Sequence, residues 1–568
     1  MDVSFWYGKR PAGVMDTVDS DQYPNALCVI ETFLKQHADK SAFTSIGQTL
    51  SFSDIDYASR CFASYLQNYT DLKPGDRIAI QMPNLLQYPI AVYGALRAGL
   101  VVVNTNPLYT AREMEHQFKD SGAKALVFLD VFGHLVEKVI ASTDIEYLIV
   151  TRLADMLPAP KRQLINFVAK HVKKMIQPFS LKEAIPFRQL IKKGGQVAYL
   201  PPDPAKSSDV AVLQYTGGTT GVSKGAVLTH RNIVANMLQA QAVLSQESSE
   251  GMPILTHGSE IIIAPLPLYH IYAFTVHLLC LPLLGNHSVL IANPRDTSTF
   301  IRFIKPWRFT GFIGLNTLFV SLLHHPKFDE CDFSAMKFTL SGGTALKEEV
   351  AHQWKAKTGC DISEAYGLTE CSPAVCINPV GGKSQLGTAG LPVPDTELKT
   401  EVDGIETVVG EPGELCVKGP QVMARYWQRP DATREVLGAD GWLKTGDVAV
   451  IQEDGFVKIV DRLKDMILVS GFNVYPNEIE DVVVSNHKVE NCAAIGVPDD
   501  KTGEKVKLFV IPADESLTEG ELVEYCRQHL TAYKVPKDIE FRQELPMTPV
   551  GKILRKNLRS EIVAKEMA

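Results

Sequence analysis

Short apolar runs alternate with stretches of helical period along the first half of the chain. Arg77–Gln81 reads as a strand, Leu85–Arg97 as a helix and Val101–Asn104 as the next strand, with Gly99 punctuating the helix end. The succession returns at Ala211–Tyr215, followed by a glycine-rich loop and a helix over Asn232–Leu244. It returns again at Phe338–Leu340, followed by Gly342-Gly343 and a helix over Lys347–Lys355. Such alternation predicts βαβ units and a mainly parallel sheet, hence an α/β fold. From about Leu386 the texture changes. Gly413–Val417 and Phe456–Val460 read as short strands, with Glu453-Asp454-Gly455 as a turn. A small α+β unit follows Asp461: Pro476 and Asn477 open a helix, Cys492–Val497 is an apolar strand, and Thr518 and Glu521 have capping-box spacing before another helix.

Two segments raise the question of a membrane. Residues 261–285 contain no Asp, Glu, Lys or Arg, so by length and charge they could span a bilayer. Pro265, Pro267 and Pro282 each remove a backbone donor, and His270 and His277 add polar cost in lipid. A buried strand, loop and helix is the better reading. In Lys161–Ile176, Leu164, Val168, Val172 and Met175 recur at helical spacing among Lys161, Arg162, Lys170, Lys173 and Lys174. No acid occurs between Asp155 and Glu183. A basic amphipathic helix of this kind can lie on an anionic bilayer; a solvated surface helix is the alternative.

Composition narrows the class. The chain has 568 residues, 45% of them hydrophobic and 21% charged, which suits a globular protein of several domains and excludes disordered, collagen-like and coiled-coil classes. Lys and Arg number 57 against 65 Asp and Glu, a net charge of −8, so a general nucleic-acid binder is not expected. Ten cysteines with no Cys-x-x-Cys pair argue against a disulfide scaffold or zinc ribbon and fit the cytoplasm. The N-terminus lacks a basic start followed by an apolar core, so no secretory signal is expected.

The strongest chemical signal is Tyr215-Thr-Gly-Gly-Thr-Thr-Gly-Val-Ser-Lys-Gly225. Glycines let backbone N–H groups approach an anion, and Thr216, Thr219, Thr220, Ser223 and Lys224 add hydroxyls and charge, which is the chemistry of a phosphate cradle. It lacks Walker A spacing. Gly221 to Gly225 also fits the G-x-S-x-G nucleophile elbow, but no strand-to-helix corner is expected at Ser223. His324-His325-Pro-Lys-Phe-Asp329 fits an acyltransferase-like HHxxxD pattern in a charged, loop-like stretch.

The phosphate loop resembles that of the adenylate-forming enzymes: acyl-CoA synthetases, luciferase and peptide-synthetase adenylation domains. Later motifs follow in the same order: Ala365-Tyr-Gly-Leu-Thr-Glu370, Gly441-Trp-Leu-Lys-Thr-Gly-Asp447, Asp461-Arg-Leu-Lys-Asp465 and Gly551-Lys-Ile-Leu-Arg555. Within the family, Pro267-Leu-Tyr-His270, Leu368-Thr-Glu-Cys-Ser-Pro373 and Val469-Ser-Gly-Phe-Asn-Val-Tyr-Pro476 look most like bacterial long-chain fatty-acid CoA ligases. The resemblance implies a large N-terminal region, 1–460, of mixed and parallel sheets wrapped by helices with a small β-barrel-like part. A hinge at 461–465 and a small mobile α+β domain over 466–568 would follow.

The implied reaction is ATP-dependent formation of acyl-AMP, then of acyl-CoA. The resemblance assigns Mg²⁺ to Thr216 and Glu370, and the phosphates to Gly217, Gly218, Thr219, Thr220, Gly221, Lys224 and Thr369. It assigns adenine to Tyr366, Glu364, Ala365 and Gly367 on one side and Gly342, Gly343 and Thr344 on the other, although Ser341 and Thr344 depart from the usual pattern. Asp447 and Arg462 would hold the ribose, and His270 would stand near the bound carboxylate. Lys552 would bridge carboxylate and α-phosphate, Lys464 would be the hinge, and Ser470, Gly471 and Phe472 would line the coenzyme A tunnel. Charge neutralisation by a metal and a lysine is what attack of one anion on another requires. The alternatives are a fatty acyl-AMP ligase serving a carrier protein, a CoA ligase for medium-chain or aryl acids, a membrane-docked nucleotide-binding module without catalysis, and an acyltransferase using His325. Peripheral contact with the inner face of the membrane and a homodimer are the further expectations.

Overall fold

The computed structural model describes residues 3–216, 223–247, 253–380, 384–499, 501–548 and 552–566. Two large sheets form the N-terminal part. In the first, parallel strands Ile362–Gly367, Phe338–Gly342, Gly311–Gly314, Ile261–Ala264, His287–Leu290 and Ser41–Ser45 lie side by side, with antiparallel strands at both edges. In the second, Val210–Thr216, Val101–Asn104, Arg77–Gln81, Ala123–Leu129, Tyr147–Thr151 and Ile185–Pro186 run parallel. The strands are apolar on both faces, as parallel strands covered by helices must be. Val101–Asn104 is wholly buried and so is the helix Gln87–Arg97 beside it.

The expected elements are present with small shifts. One strand was not expected. Between the phosphate loop and the helix His230–Leu244 the chain first forms Lys224–Thr229, antiparallel to Val210–Thr216. Thr229 then caps that helix by accepting from the Asn232 N–H. The barrel-like part is an open five-stranded antiparallel sheet, from Ile405–Glu406 at one edge to Val457–Arg462 at the other, and no closed barrel forms among the described residues. Closure needs pairing of the two end strands, and these pair on one side only.

Beyond Arg462 the strands Ile467–Val469, Phe472–Val474, Val489–Asp499, Gly503–Pro512 and Asp538–Phe541 form a separate sheet. Helices Pro476–Val484 and Glu519–His529 cover it around their own apolar core, which includes Ile479, Val483, Leu508 and Leu522. The apolar segment 261–285 is the strand Ile261–Ala264, a loop and the helical run Ile271–Leu283, with π-helical geometry at Val276–Cys280. No described helix is long and apolar enough to cross a membrane. Lys161–Ile176 is shorter than its pattern suggests: an α-helix over Lys161–Phe167 and one π-helical turn over Val168–Val172.

Candidate active site

The carboxyl ends of the parallel strands, where ligands bind in open α/β sheets, gather the motifs. Gly342 lies opposite Ala365 in the register of neighbouring strands, which brings Gly342-Gly343-Thr344 beside Tyr366. A Cβ on Gly367 would stand 2.1 Å from the Pro373 carbonyl, and Gly343 holds φ of +89°. Glycine is required at both. A Cβ on Gly342 would stand 2.9 Å from the Tyr272 ring. The hydroxyls of Tyr272, Ser341 and Thr344 are buried without a hydrogen-bond partner.

Asp447 is 3% exposed. It accepts from the Tyr366 hydroxyl at 2.6 Å and pairs with Arg462 Nε at 2.8 Å. The antiparallel register sets Asp447 against Arg462, so the pair is built into the sheet. Burial, then the Asp447 charge, push the Tyr366 phenol far above its usual range, so it remains a donor. Glu364 lies two residues earlier on the same strand. It accepts the Gly387 N–H at 2.7 Å, and burial raises its carboxyl to about 7.

The hairpin Thr216–Lys224 brackets the phosphate loop, and Gly217, Gly218, Thr219, Thr220 and Gly221 themselves lie outside the described residues. Tyr215 anchors its first strand by donating to Asp120 at 2.7 Å. Lys224 Nζ stands 5.2 Å from the centre of the Tyr426 ring, and the Tyr426 hydroxyl donates to Glu370 Oε1 at 2.6 Å. Tyr426 is a site residue that the motifs did not name. It arrives on the short strand Arg425–Tyr426, which pairs with the strand beginning at Lys224. The available signal is the Tyr426-Trp427 pair in a polar stretch. Thr369 opens the short 3₁₀ turn that carries Glu370.

The Thr548 N–H donates to the Lys552 carbonyl at 2.7 Å, and Met547 forms an antiparallel bridge with Ile553. Lys552 keeps solvent access, but its ammonium is crowded by protein. That crowding and nearby Arg462 lower its pKa, while Asp447 and Glu370 act in the opposite sense. His270 caps the helix Ile271–Thr275, and burial, then the Lys552 charge, lower it to about 4. Lys552, His270, Asp447, Arg462 and Glu370 therefore share one electrostatic neighbourhood. Lys464 is exposed beside it, its pKa lowered by desolvation and Arg462.

Ser470, Gly471 and Phe472 are not brought into this cluster. Ser470 and Gly471, with φ of +53° and +83°, make the tight turn between two short strands, and Phe472 stacks on Tyr533 within the C-terminal unit. Among the described residues no group of three or more His, Cys, Asp or Glu could hold a metal by itself. The two motif coincidences find structural uses. His325 caps a 3₁₀ turn by accepting from Lys327 N–H, and Asp329 pairs with Lys357. Ser223 precedes a strand rather than a helix, so there is no nucleophile elbow.

Residues 30–427 match the AMP-binding enzyme family and residues 478–552 the AMP-binding enzyme C-terminal domain. A long-chain-fatty-acid–CoA ligase of Yersinia pestis is 50% identical, over 98% of this chain and 98% of its own length. One of Salmonella typhimurium is 48% identical, over 99% and 98%. The crystal structure of an anthranilate CoA ligase in complex with anthranoyl-AMP superposes with a TM-score of 0.84, covering 97% of this chain and 100% of that one at 24% identity, which speaks for the fold. With these matches spanning nearly the whole sequence, the chain belongs to the AMP-binding enzyme family.

Proposed function

We propose that the chain is an ATP-dependent long-chain fatty acid:CoA ligase that works through an acyl-AMP intermediate. The observation that supports the reading is the shared electrostatic neighbourhood of Lys552, Arg462, Asp447, Glu370 and His270, with Asp447 and Arg462 in direct contact. The likeness to fatty-acid CoA ligases at 48–50% identity supports the substrate class. The fatty carboxylate attacks the α-phosphorus of ATP and pyrophosphate leaves; the coenzyme A thiolate then attacks the acyl carbonyl and AMP leaves. Both nucleophiles belong to substrates, so the protein's work is positioning and charge stabilisation.

Lys552 lies between the reacting anions, and Arg462 with Asp447 holds the ribose. Tyr366 covers adenine on one face, with Gly342-Gly343-Thr344 on the other and Glu364, Ala365 and Gly367 at its edge. Gly217, Gly218, Thr219, Thr220, Gly221, Lys224 and Thr369 hold phosphate oxygens. His270, neutral at physiological pH, orients the carboxylate without repelling Lys552. One carboxylate, Glu370, and one hydroxyl, Thr216, make an oxygen donor set suited to Mg²⁺ shared with substrate phosphates; that ion supplies charge neutralisation.

The thiol step requires a different neighbour. The unit 466–568 turns about Lys464, within the hinge 461–465, to exchange Lys552 for Ser470, Gly471 and Phe472, which line the pantetheine path. Lys464→Pro fixes φ at the pivot; it is expected to accumulate acyl-AMP and lose acyl-CoA formation. Normal acyl-CoA turnover in this variant defeats the rotation.

The protein works in the cytoplasm and docks on the inner membrane face through Lys161–Ile176. There Leu164, Phe167 and Val172 are 63%, 56% and 65% exposed beside Lys170, Lys173 and Lys174. Cosedimentation with anionic vesicles tests this: replacing the three lysines by Glu is expected to release the protein, at about 1 kcal/mol per basic residue lost. The ligase reading is tested by incubating the protein with ATP, Mg²⁺, coenzyme A and oleate. Acyl-CoA, AMP and pyrophosphate are expected. Acyl-AMP that passes only to a carrier protein, or turnover only with hexanoate or benzoate, replaces the reading with the corresponding alternative.

A further inference from the structure

A second cavity, of about 300 Å³, opens at the same carboxyl edge of the nine-stranded sheet as the active site, over the ends of Ser41–Ser45 and His287–Leu290. Its walls are mainly apolar: Ile46, Val289, Leu290, Phe303 and Trp307. Trp307 is fixed by an edge-on contact with His287 at 5.1 Å, and His287 is held by Thr44 at 2.8 Å. One charged side chain lines the cavity. Arg302 is exposed there and has no hydrogen bond or ion pair to another described residue. Its guanidinium stands 5.6 Å from the centre of the Phe303 ring and within electrostatic reach of Asp296, with its hydrogen-bond donors open; a guanidinium so placed at the rim of an apolar pocket is suited to a carboxylate carrying a hydrocarbon tail.

Two further observations bear on what occupies it. First, the rim is shared with the basic segment Lys161–Ile176. Lys161 Nζ donates to the carbonyl of Gly47, which also lines the cavity, at 3.5 Å. Lys173 acts electrostatically on Asp296, the cap of the helix Thr297–Ile304 that supplies Arg302 and Phe303. Asp296 is the acid at this rim, and its carboxylate is engaged by Thr299 N–H at 3.0 Å. Second, the cavity is joined to the active-site wall. Ser45 Oγ, in the lining, donates to the Asn84 carbonyl at 3.2 Å; the Asn84 amide donates to Ala264 and Leu266 carbonyls at 3.0 and 2.8 Å and accepts from Leu268 N–H at 2.8 Å. Those residues lead directly to His270. The register continues the link, with Thr44 opposite Val289 and Ala264 opposite Leu290.

We propose that this cavity is a capture site for a long-chain fatty acid arriving from the bilayer, with its carboxylate on Arg302 and its chain against Leu290, Phe303 and Trp307, before the acid moves along the sheet edge to the cleft. The proposal rests on the fatty-acid ligase reading and adds a binding site outside the adenylating cluster. Its volume lies at the lower end of the usual ligand range of about 300–1,000 Å³, which suits a transient stop rather than a cofactor.

The test uses the full chain without ATP, coenzyme A or vesicles, titrated with a stearate brominated at mid-chain, whose bromines quench a nearby tryptophan. Saturable quenching is expected in the unaltered protein and is expected to vanish in Trp307→Phe. In Arg302→Gln the half-saturating concentration is expected to rise about tenfold, as loss of a charge-assisted contact implies. With oleate delivered from vesicles, kcat/KM in Arg302→Gln is expected to fall about tenfold more than with dissolved hexanoate, because only the long acid uses the stop. Absence of quenching, quenching that survives Trp307→Phe, or equal losses for oleate and hexanoate overturns the proposal. Failure of the ligase reading is separate: the unaltered protein would then make no acyl-CoA from either acid, whatever the quenching shows.

Discussion

On the nucleotide wall of the cleft the polar groups answer one another. Asp447 takes Tyr366 and Arg462, and Glu370 takes Tyr426. On the adjoining wall built from Pro265–Cys280, polarity is left open. The hydroxyl of Tyr272 has no partner, and His277 offers Nδ1 to Ser288 while its Nε2 is unpaired. A nucleotide bound as proposed would therefore exchange partners that already exist, whereas each open group on the other wall carries an uncompensated cost of about 1–3 kcal/mol. The first wall stores its specificity in pairs that hold their geometry without substrate. In the proposed site the second would stay adaptable, and a neutral His270 would keep a carboxylate from being trapped there as a tight ion pair.

The sharpest way to break the contrast is to remove the group that faces both walls. Lys552→Ala is expected to lower acyl-AMP formation by about 10²–10³, the scale for one lost transition-state donor. Thioester formation from supplied acyl-AMP is expected to survive, and single-turnover assays of the two steps separate them; equal loss in both contradicts the assignment. Asp447→Asn attacks the paired wall alone. It leaves Arg462 without its anion, and kcat/KM for ATP is expected to fall about 10- to 100-fold, with the oleate KM much less affected. A larger change for oleate than for ATP would erase the distinction between the walls.

The smallest effect concerns the open wall and acid. Burial lowers His277 to about 3 and His270, His230 and His287 to about 4, against an ordinary value near 6.5. Between about pH 6.5 and 4 the unfolded chain binds protons that the folded chain refuses, so these groups make stability fall as pH falls through that window. Glu364, raised by burial to about 7, and Asp130, raised to about 6, act in the opposite sense above about pH 4. His37 is lowered too, and burial also raises Asp155, Asp461, Glu480 and Asp481, so the histidine share is read by difference: on going from pH 6.5 to 4.5, Tm in His277→Gln is expected to fall less than in the unaltered protein. A Tm independent of pH in both proteins contradicts this accounting.

Much of the fold was legible because parallel strands buried on both faces announce themselves as apolar runs. Arg77–Gln81 and Val101–Asn104 were read to the residue. Motifs with chemistry at fixed spacing located Asp447 and Arg462, and the sheet register explains why they meet. What could not be read depends on partners distant in sequence. Lys224–Thr229 is a strand because Val210–Thr216 lies beside it, not because its own residues demand it. Tyr426 reaches Glu370 across 56 positions through a two-residue strand, too short to leave a periodic signal. The antiparallel part was anticipated as barrel-like from the family resemblance alone; its alternating strands look alike whether or not their ends meet. At Lys161–Ile176 the apolar spacing was read as one continuous helix, whereas the regular α-helix ends at Phe167 and a π-helical turn follows.

Arg555, three residues beyond Lys552, is clamped to Glu480 at 2.8 Å and to Asn477 at 2.9 Å, while Arg559 reaches back to Asp465 at 2.9 Å. The arm bearing the ammonium is thus bolted at its root to the residue adjoining Lys464. The proposed turn at Lys464 would carry the ammonium through an arc set by the length of the arm, so that it would leave the phosphates as an on–off event rather than by gradual loosening. The same linkage governs the back reaction. In the proposed rotation pyrophosphate rebuilds ATP from acyl-AMP only while the arm is home, so each swing that admits the thiol would also shut the return route, a ratchet without a separate latch.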